Sequence, residues 1–165
     1  MSNSPSLSIL IAEDDDTDVL LLRRAFREAG VDNPLHVTRD GQEAIDFLTQ
    51  AKNHAEGRLP ALLLLDLKMP RRSGIQVLDW VRQQPAIRNV PVMIFSSSEN
   101  RNDIENAYSA GANGYLIKPP SLSERADVAR FIKEWLRLNQ PPAASVESVR
   151  AAQSHRSNPP LAPAL

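Results

Sequence analysis

Four short polar stretches in this sequence carry residues that could do chemistry, and each follows an apolar run. Glu13-Asp14-Asp15-Asp16 follows Leu7 to Ala12, and Asp66 follows Ala61-Leu62-Leu63-Leu64-Leu65. Ser96-Ser97-Ser98 follows Pro91 to Phe95, and Lys118-Pro119 follows Tyr115-Leu116-Ile117. Carboxylates brought together repel by several kcal/mol unless a proton or a cation neutralises them. A hard divalent cation with oxygen ligands is the natural partner, and Mg²⁺ takes a few carboxylates, water and a phosphoryl oxygen. A lysine beside such a site pairs with Asp66 when it is free and with a phosphoryl oxygen when it is modified. A hydroxyl such as that of Ser96 can bond a second phosphoryl oxygen. If they converge, these are the parts of an aspartyl phosphorylation site: nucleophile, metal, cationic clamp and hydroxyl donor.

Convergence depends on the elements between them. The apolar runs ending at Ala12, Leu65 and Phe95 suit strands, and the continuous run before Asp66 suits one buried on both faces. Leu35 to Thr38 and Tyr115 to Ile117 add two more strands. Helical stretches are expected over about Thr17 to Ala29, with Gly30 as its stop, and over Gln42 to Ala51 and Ile75 to Gln84. Two more are expected over Arg101 to Ala110 and Ser121 to Leu138. Strict alternation predicts an α/β, flavodoxin-like doubly wound (βα)5 fold, with a five-stranded parallel sheet in the order 2-1-3-4-5. In that order strands 1 and 3 are neighbours, so Glu13, Asp14 and Asp66 meet at one sheet edge, with Ser96 and Lys118 on the other side of Asp66.

Composition narrows the classes further. With 165 residues there is room for one domain with a core, and a net charge of −1 removes the electrostatic case for nucleic-acid binding. The absence of cysteine excludes disulfides, thiolate zinc and a Cys nucleophile. The N-terminal MSNSPSLSIL has neither the basic region nor the apolar length of a signal or membrane span, which predicts a cytoplasmic protein that needs no membrane. Residues 1–6 and the Pro-, Ala- and Ser-rich residues 139–165 are expected to be poorly ordered, with a short helix feasible over Ser145 to His155. The expected folded unit is 7–138.

The pieces Glu13-Asp14, Asp66, Ser96 and Lys118-Pro119, in that order and at those strand ends, resemble the receiver domain of two-component response regulators. Met69-Pro70, Gly74, Ala110-Gly111-Ala112 and Gly114-Tyr115 also match. The resemblance implies that Asp66 accepts a phosphoryl group from a histidine kinase or phosphotransfer protein. It implies Mg²⁺ held by Glu13, Asp14, Asp66 and the backbone carbonyl of Lys68, Ser96 as the switch hydroxyl and Lys118 as the phosphoryl clamp. Tyr115 falls at the aromatic switch position. Self-dephosphorylation should be slow, so the protein is a phosphoacceptor rather than an enzyme. Asp15 and Asp16 lie beyond the usual pair and read as acids favoured at a helix N-terminus.

Taken one at a time, the same residues have blander readings. A lone Asp66 is as often a turn residue, Glu13-Asp14 a helix-start cluster and Lys118 a solvated charge. Trp80 and Trp135 read as packing residues, and the scattered His36, His54 and His155 have no ligand spacing. Two alternatives are a receiver-fold adaptor that works without phosphorylation and a phosphohydrolase of the haloacid-dehalogenase type. The second wants another Asp two residues after the nucleophile, where this chain has Lys68.

No output domain is expected after residue 138, so signalling should run through protein–protein contacts. Ile104, Tyr108 and Tyr115, with Val128, Phe131, Ile132, Trp135, Leu136 and Leu138, offer more apolar surface than one core face needs. A homodimer or partner contact is expected on that helix 4–strand 5–helix 5 face. The segment Leu65 to Pro70, the long Lys52 to Pro60 connection and the Phe131 to Leu138 helix end resemble the single-domain regulators paired with bacterial phytochromes. That resemblance implies a phytochrome-type kinase as partner.

Overall fold

Leu62-Leu63-Leu64-Leu65 is fully buried in the centre of the sheet, as its unbroken apolar character predicts. A computed structural model of the chain describes residues 7–53 and 59–139. Five strands run β1 (Ile9–Ala12), β2 (Leu35–Thr38), β3 (Leu62–Leu65), β4 (Val92–Ser96) and β5 (Gly114–Ile117). They alternate with α1 (Asp16–Glu28), α2 (Gly41–Asn53), α3 (Gly74–Gln83), α4 (Arg101–Ser109) and α5 (Leu122–Leu138). All pairings are parallel and the order is β2-β1-β3-β4-β5, the doubly wound arrangement expected from the alternation. The expectations for residues 1–6 and 140–165, the Ser145 to His155 helix included, lie outside the described residues, as does His54.

Side chains alternate across the sheet and build two cores. Ile9, Ile11, Leu62, Leu64, Met93 and Phe95 pack under α1 and α5 through Leu22, Phe26, Ala129 and Ile132. Leu10, Leu63, Leu65 and Ile94 pack on the other face against Leu48 of α2 and Val77 and Leu78 of α3. Trp80 and Trp135 are half-buried against these cores, as packing residues should be.

Register then sets the site. Ala12 pairs with Leu65, Leu65 with Ile94, and Ser96 with Ile117. The backbone ladder runs one residue further at each functional position. Glu13 donates to the Thr38 carbonyl at 3.0 Å, Asp66 to Ala12 at 3.0 Å and Lys118 to Ser96 at 2.8 Å. Each functional residue therefore leaves the sheet from a backbone that is still hydrogen-bonded.

The helix starts are set locally. Asp15 caps α1 by accepting from the Asp18 amide at 2.9 Å, and Asp16 lies in its first turn, so both act as the N-terminal acids expected of them. Ser73 and Gln76 form a reciprocal capping box at α3, directly after the Asp66 loop. Ser73→Ala is expected to lower stability by about 1 kcal/mol in urea unfolding.

Candidate functional site

Glu13, Asp14 and Asp66 converge as their strand-end positions require, with one carboxylate oxygen from each within 4.8 Å of the others. Glu13 and Asp66 are buried and Asp14 is exposed. The donor set is all oxygen and mostly anionic, and it opens to solvent on the Asp14 side. Those are the terms on which a hard divalent cation binds with part of its water shell retained.

Lys118, whose side chain is 6% exposed, is the counter-charge. It does not pair chiefly with Asp66, as the residue types suggest. Its Nζ stands 2.6 Å from Glu13 Oε2 and 2.9 Å from Asp18 Oδ2, against 3.4 Å from Asp66 Oδ1. The reason is geometric: Glu13 follows directly on β1, and Asp18 lies in the first turn of α1, three residues after its N-cap Asp15. Asp18 also accepts from Arg125 Nη2 at 2.7 Å, while Arg125 Nε donates to the Pro119 carbonyl at 3.0 Å. The cluster thus sets four carboxylates (Glu13, Asp14, Asp18, Asp66) against two cations (Lys118, Arg125). A divalent cation would balance it.

Asp18 and Arg125 are the residues that sequence reasoning passed over. One signal was available for each. Asp18 is one more acid in the first turn of the helix that follows Glu13-Asp14, and Arg125 shares the face of Ala126, Ala129 and Ile132 on α5.

The ionisation of the cluster follows from burial set against pairing. Burial pushes both Glu13 and Asp66 above the ordinary carboxylate range, and the pull of Lys118 offsets this only in part. Burial also acts to raise Asp18, but its hydrogen bonds to Lys118 and Arg125 outweigh it and hold the carboxyl low. For Lys118, burial works against the charge, yet the bonds to Glu13 and Asp18 and the field of Asp66 keep its pKa above the usual lysine value.

These directions have a sign. A carboxyl whose folded pKa is raised binds protons more readily in the native state, so its contribution to stability falls as pH rises past its ordinary value, 3.8 for Asp66. Asp66→Asn is therefore expected to stabilise the metal-free protein by about 1 kcal/mol at neutral pH, where it removes a short-range repulsion. The gain should fade as pH falls through 3.8 and vanish well below it, where Asp66 is itself protonated in both states. Urea melts of both proteins at the two pH values check this.

Ser96 is buried at the end of β4, and its hydroxyl accepts from the Ser98 amide at 3.2 Å. Tyr115 Oη donates to the Ser98 carbonyl at 2.8 Å, and Ser98 Oγ donates to Asp103 at 2.5 Å. One residue, Ser98, thus connects Ser96, Tyr115 and the first turn of α4. Lys68 has an exposed side chain and Ser97 is also exposed. Arg71 is paired with Asp40 at 2.8 Å rather than free, and takes a left-handed φ of 61°. His36 meets Phe47 in a tilted ring contact with centroids 5.0 Å apart, and it has no part in the cluster.

A flavodoxin-like sheet with acids beyond β1 and β3, a hydroxyl on the last residue of β4 and a lysine beyond β5 is the plan of a receiver. Residues 9–150 match the response regulator receiver domain, and the chain belongs to that family. Response regulator Rcp1 of Synechocystis sp. is 33% identical over 144 residues, covering 87% of this chain and 97% of its own. The probable methanogenesis regulatory protein FilR2 of Methanothrix harundinacea is 35% identical over 135 residues, 81% and 86% of the two chains. Among solved structures, the phosphorylated cyanobacterial phytochrome response regulator RcpA superimposes with a TM-score of 0.75 at 30% identity, covering 83% of this chain and 99% of its own. The Mn²⁺-bound form of Rcp1 gives 0.73 at 31% identity, with the same coverage.

Proposed function

We propose that this receiver accepts a phosphoryl group on Asp66 from a histidine kinase or phosphotransfer protein and signals through altered protein–protein contacts. The observation that carries this is the cluster itself: three converging carboxylates with a buried lysine 3.4 Å from Asp66. In the transfer the phosphorus–nitrogen bond of a phosphohistidine breaks and a bond to an Asp66 oxygen forms, leaving neutral histidine. Mg²⁺ at Glu13, Asp14, Asp66 and the Lys68 carbonyl would supply charge neutralisation at the phosphoryl oxygens. The Mn²⁺-bound form of Rcp1 supports a divalent cation at this acidic cluster. Lys118 and Ser96 bind the phosphoryl oxygens, and Tyr115, tied through Ser98 to Ser96 and α4, responds to the movement of that loop. The phosphoryl group adds charge and acceptor oxygens and so biases an existing equilibrium of the β4–α4 region.

The kinase is of the phytochrome type on this reading, supported by the likeness to RcpA and to a R. palustris regulator of red light signalling, with a TM-score of 0.71 at 32% identity. The output surface is α4–β5–α5, where Tyr108, Ile117, Phe131 and Leu138 are 41–65% exposed. A second copy of the chain is the occupant proposed for it. The site is in the cytoplasm, where such kinase domains present their phosphohistidine.

Amide NMR with Mg²⁺ and then beryllofluoride tests this reading. Shifts at Glu13, Asp14 and Asp66 with the metal, and at Ser96, Lys118 and α4 with beryllofluoride in wild type but not in Asp66→Asn, are expected. No response to either ligand would leave a phosphorylation-independent adaptor. Sedimentation of the beryllofluoride form tests the second copy: a monomer throughout the micromolar range rules it out.

A further inference from the structure

Lys118 is held closer to Glu13 and Asp18 than to Asp66, and among the described residues Asp18 alone of these three also holds a second cation. Its two carboxylate oxygens are divided, Oδ2 taking Lys118 at 2.9 Å and Oδ1 taking Arg125 at 2.7 Å. Both cations lie against the Phe95 ring, 5.9 and 6.0 Å from its centroid. Two like charges drawn to one ring repel each other, and Asp18 is the anion that both share. Arg125 is 5% exposed, and its Nη1 is buried without a hydrogen-bond partner. Its charge therefore leans on Asp18, because a buried guanidinium with no carboxylate carries an uncompensated desolvation cost.

We infer that Asp18 is a positioning residue for the phosphoryl clamp: it competes with Asp66 for the Lys118 ammonium, which stands 2.9 Å from Asp18 and 3.4 Å from Asp66, and Arg125 sets how firmly it does so. The inference rests on the phosphoacceptor reading. Glu13 is one of the acids that would hold the metal, so with metal bound Asp18 would be the partner that competes with the acceptor for Lys118. A phosphoryl group, or its mimic, must draw the lysine away from Asp18. Removing the Asp18 charge removes that competitor. Removing Arg125 leaves the whole Asp18 charge to the lysine and strengthens the competition.

The two variants thus move one quantity in opposite directions. Beryllofluoride affinity is measured by titration calorimetry on the full chain in excess Mg²⁺ at neutral pH. Asp18→Asn is expected to bind about fivefold more tightly than wild type, and Arg125→Met about fivefold more weakly, the scale of one ordinary intramolecular hydrogen bond. A general loss of structure weakens binding in every variant, so tighter binding by Asp18→Asn is not a by-product of damage.

Arg125→Met also gives up the bond to the Pro119 carbonyl, next to Lys118. The double variant separates the two effects and relieves the unpaired guanidinium that Asp18→Asn leaves. If Arg125 acts through Asp18, the double variant binds as tightly as Asp18→Asn. Affinity in Asp18→Asn and in the double variant equal to wild type or below it overturns the inference while the acceptor reading stands. Absence of beryllofluoride binding by wild type overturns both.

Discussion

Lys118→Met is expected to cost the metal-free protein about 3 kcal/mol in urea unfolding at neutral pH, because it removes the cation from a buried group of acids. Lys118 contacts Glu13, Asp18 and Asp66 within 3.4 Å, and its side chain is 6% exposed, against 4%, 21% and 9% for theirs. With methionine there, Glu13 and Asp66 lose the pull that partly offsets their desolvation, and both carboxyls rise further from their ordinary values. Arg125 cannot replace the lysine, since its one charge is already engaged by Asp18. Saturating Mg²⁺ should restore most of the loss, because ligand at about a hundred times its Kd contributes about 2.7 kcal/mol to whichever form binds it. A variant that melts with wild type in metal-free buffer, or that Mg²⁺ does not rescue, contradicts the charge balance described for this cluster.

Gly74→Ala should cost a similar amount for a different reason. A Cβ at Gly74 would stand 2.2 Å from the Asp66 carbonyl oxygen and 3.0 Å from the Asp66 carbonyl carbon and the Leu67 Cα. All three are backbone atoms, and no side-chain rotation relieves the overlap. The Gly74 amide meanwhile donates to the Leu67 carbonyl at 3.0 Å, so the first turn of α3 is bonded directly to the acceptor loop. Alanine gains up to about 1 kcal/mol of helix propensity over glycine. Against that, overpacking costs about 1–3 kcal/mol and more where backbone has to move. The net expectation is a loss of about 2 kcal/mol, with Mg²⁺ affinity reduced in the folded fraction because the displaced backbone is that of Asp66. Full stability with unchanged Mg²⁺ binding would show that the loop is not pinned there.

The strands and their order could be read from the residues because each central strand is an apolar run that ends abruptly in a polar residue. Leu62–Leu65 before Asp66 and Val92–Ser96 are buried along their whole length. A parallel sheet with helices on both faces accommodates such strands readily. The strand-end rule then brought Glu13, Asp14 and Asp66 together without knowledge of side-chain positions. What it could not supply was the partner of Lys118. Residue types favour the nearest aspartate on the sheet, but the long Glu13 side chain and the helix-borne Asp18 reach the ammonium first. Asp18 and Arg125 are 107 positions apart, and only the packing of α1 against α5 makes them neighbours. The apolar excess on the last three elements was also visible in the residues. Of the set, Ile132 is buried and Ile104, Tyr115, Val128, Trp135 and Leu136 partly so, which leaves Tyr108, Phe131 and Leu138 facing out, together with Ile117 of β5.

The claim on which the rest depends is that Asp66 is the phosphoacceptor, and intact-mass spectrometry after incubation with acetyl phosphate and Mg²⁺ tests it most directly. Wild type is predicted to gain the mass of one phosphoryl group and to lose it again slowly once the donor is removed. Asp66→Asn is predicted to gain none, with its fold and Lys118 intact. Equal labelling of the two proteins, or no labelling of wild type by this donor or by a phosphorylated histidine kinase, would contradict the account.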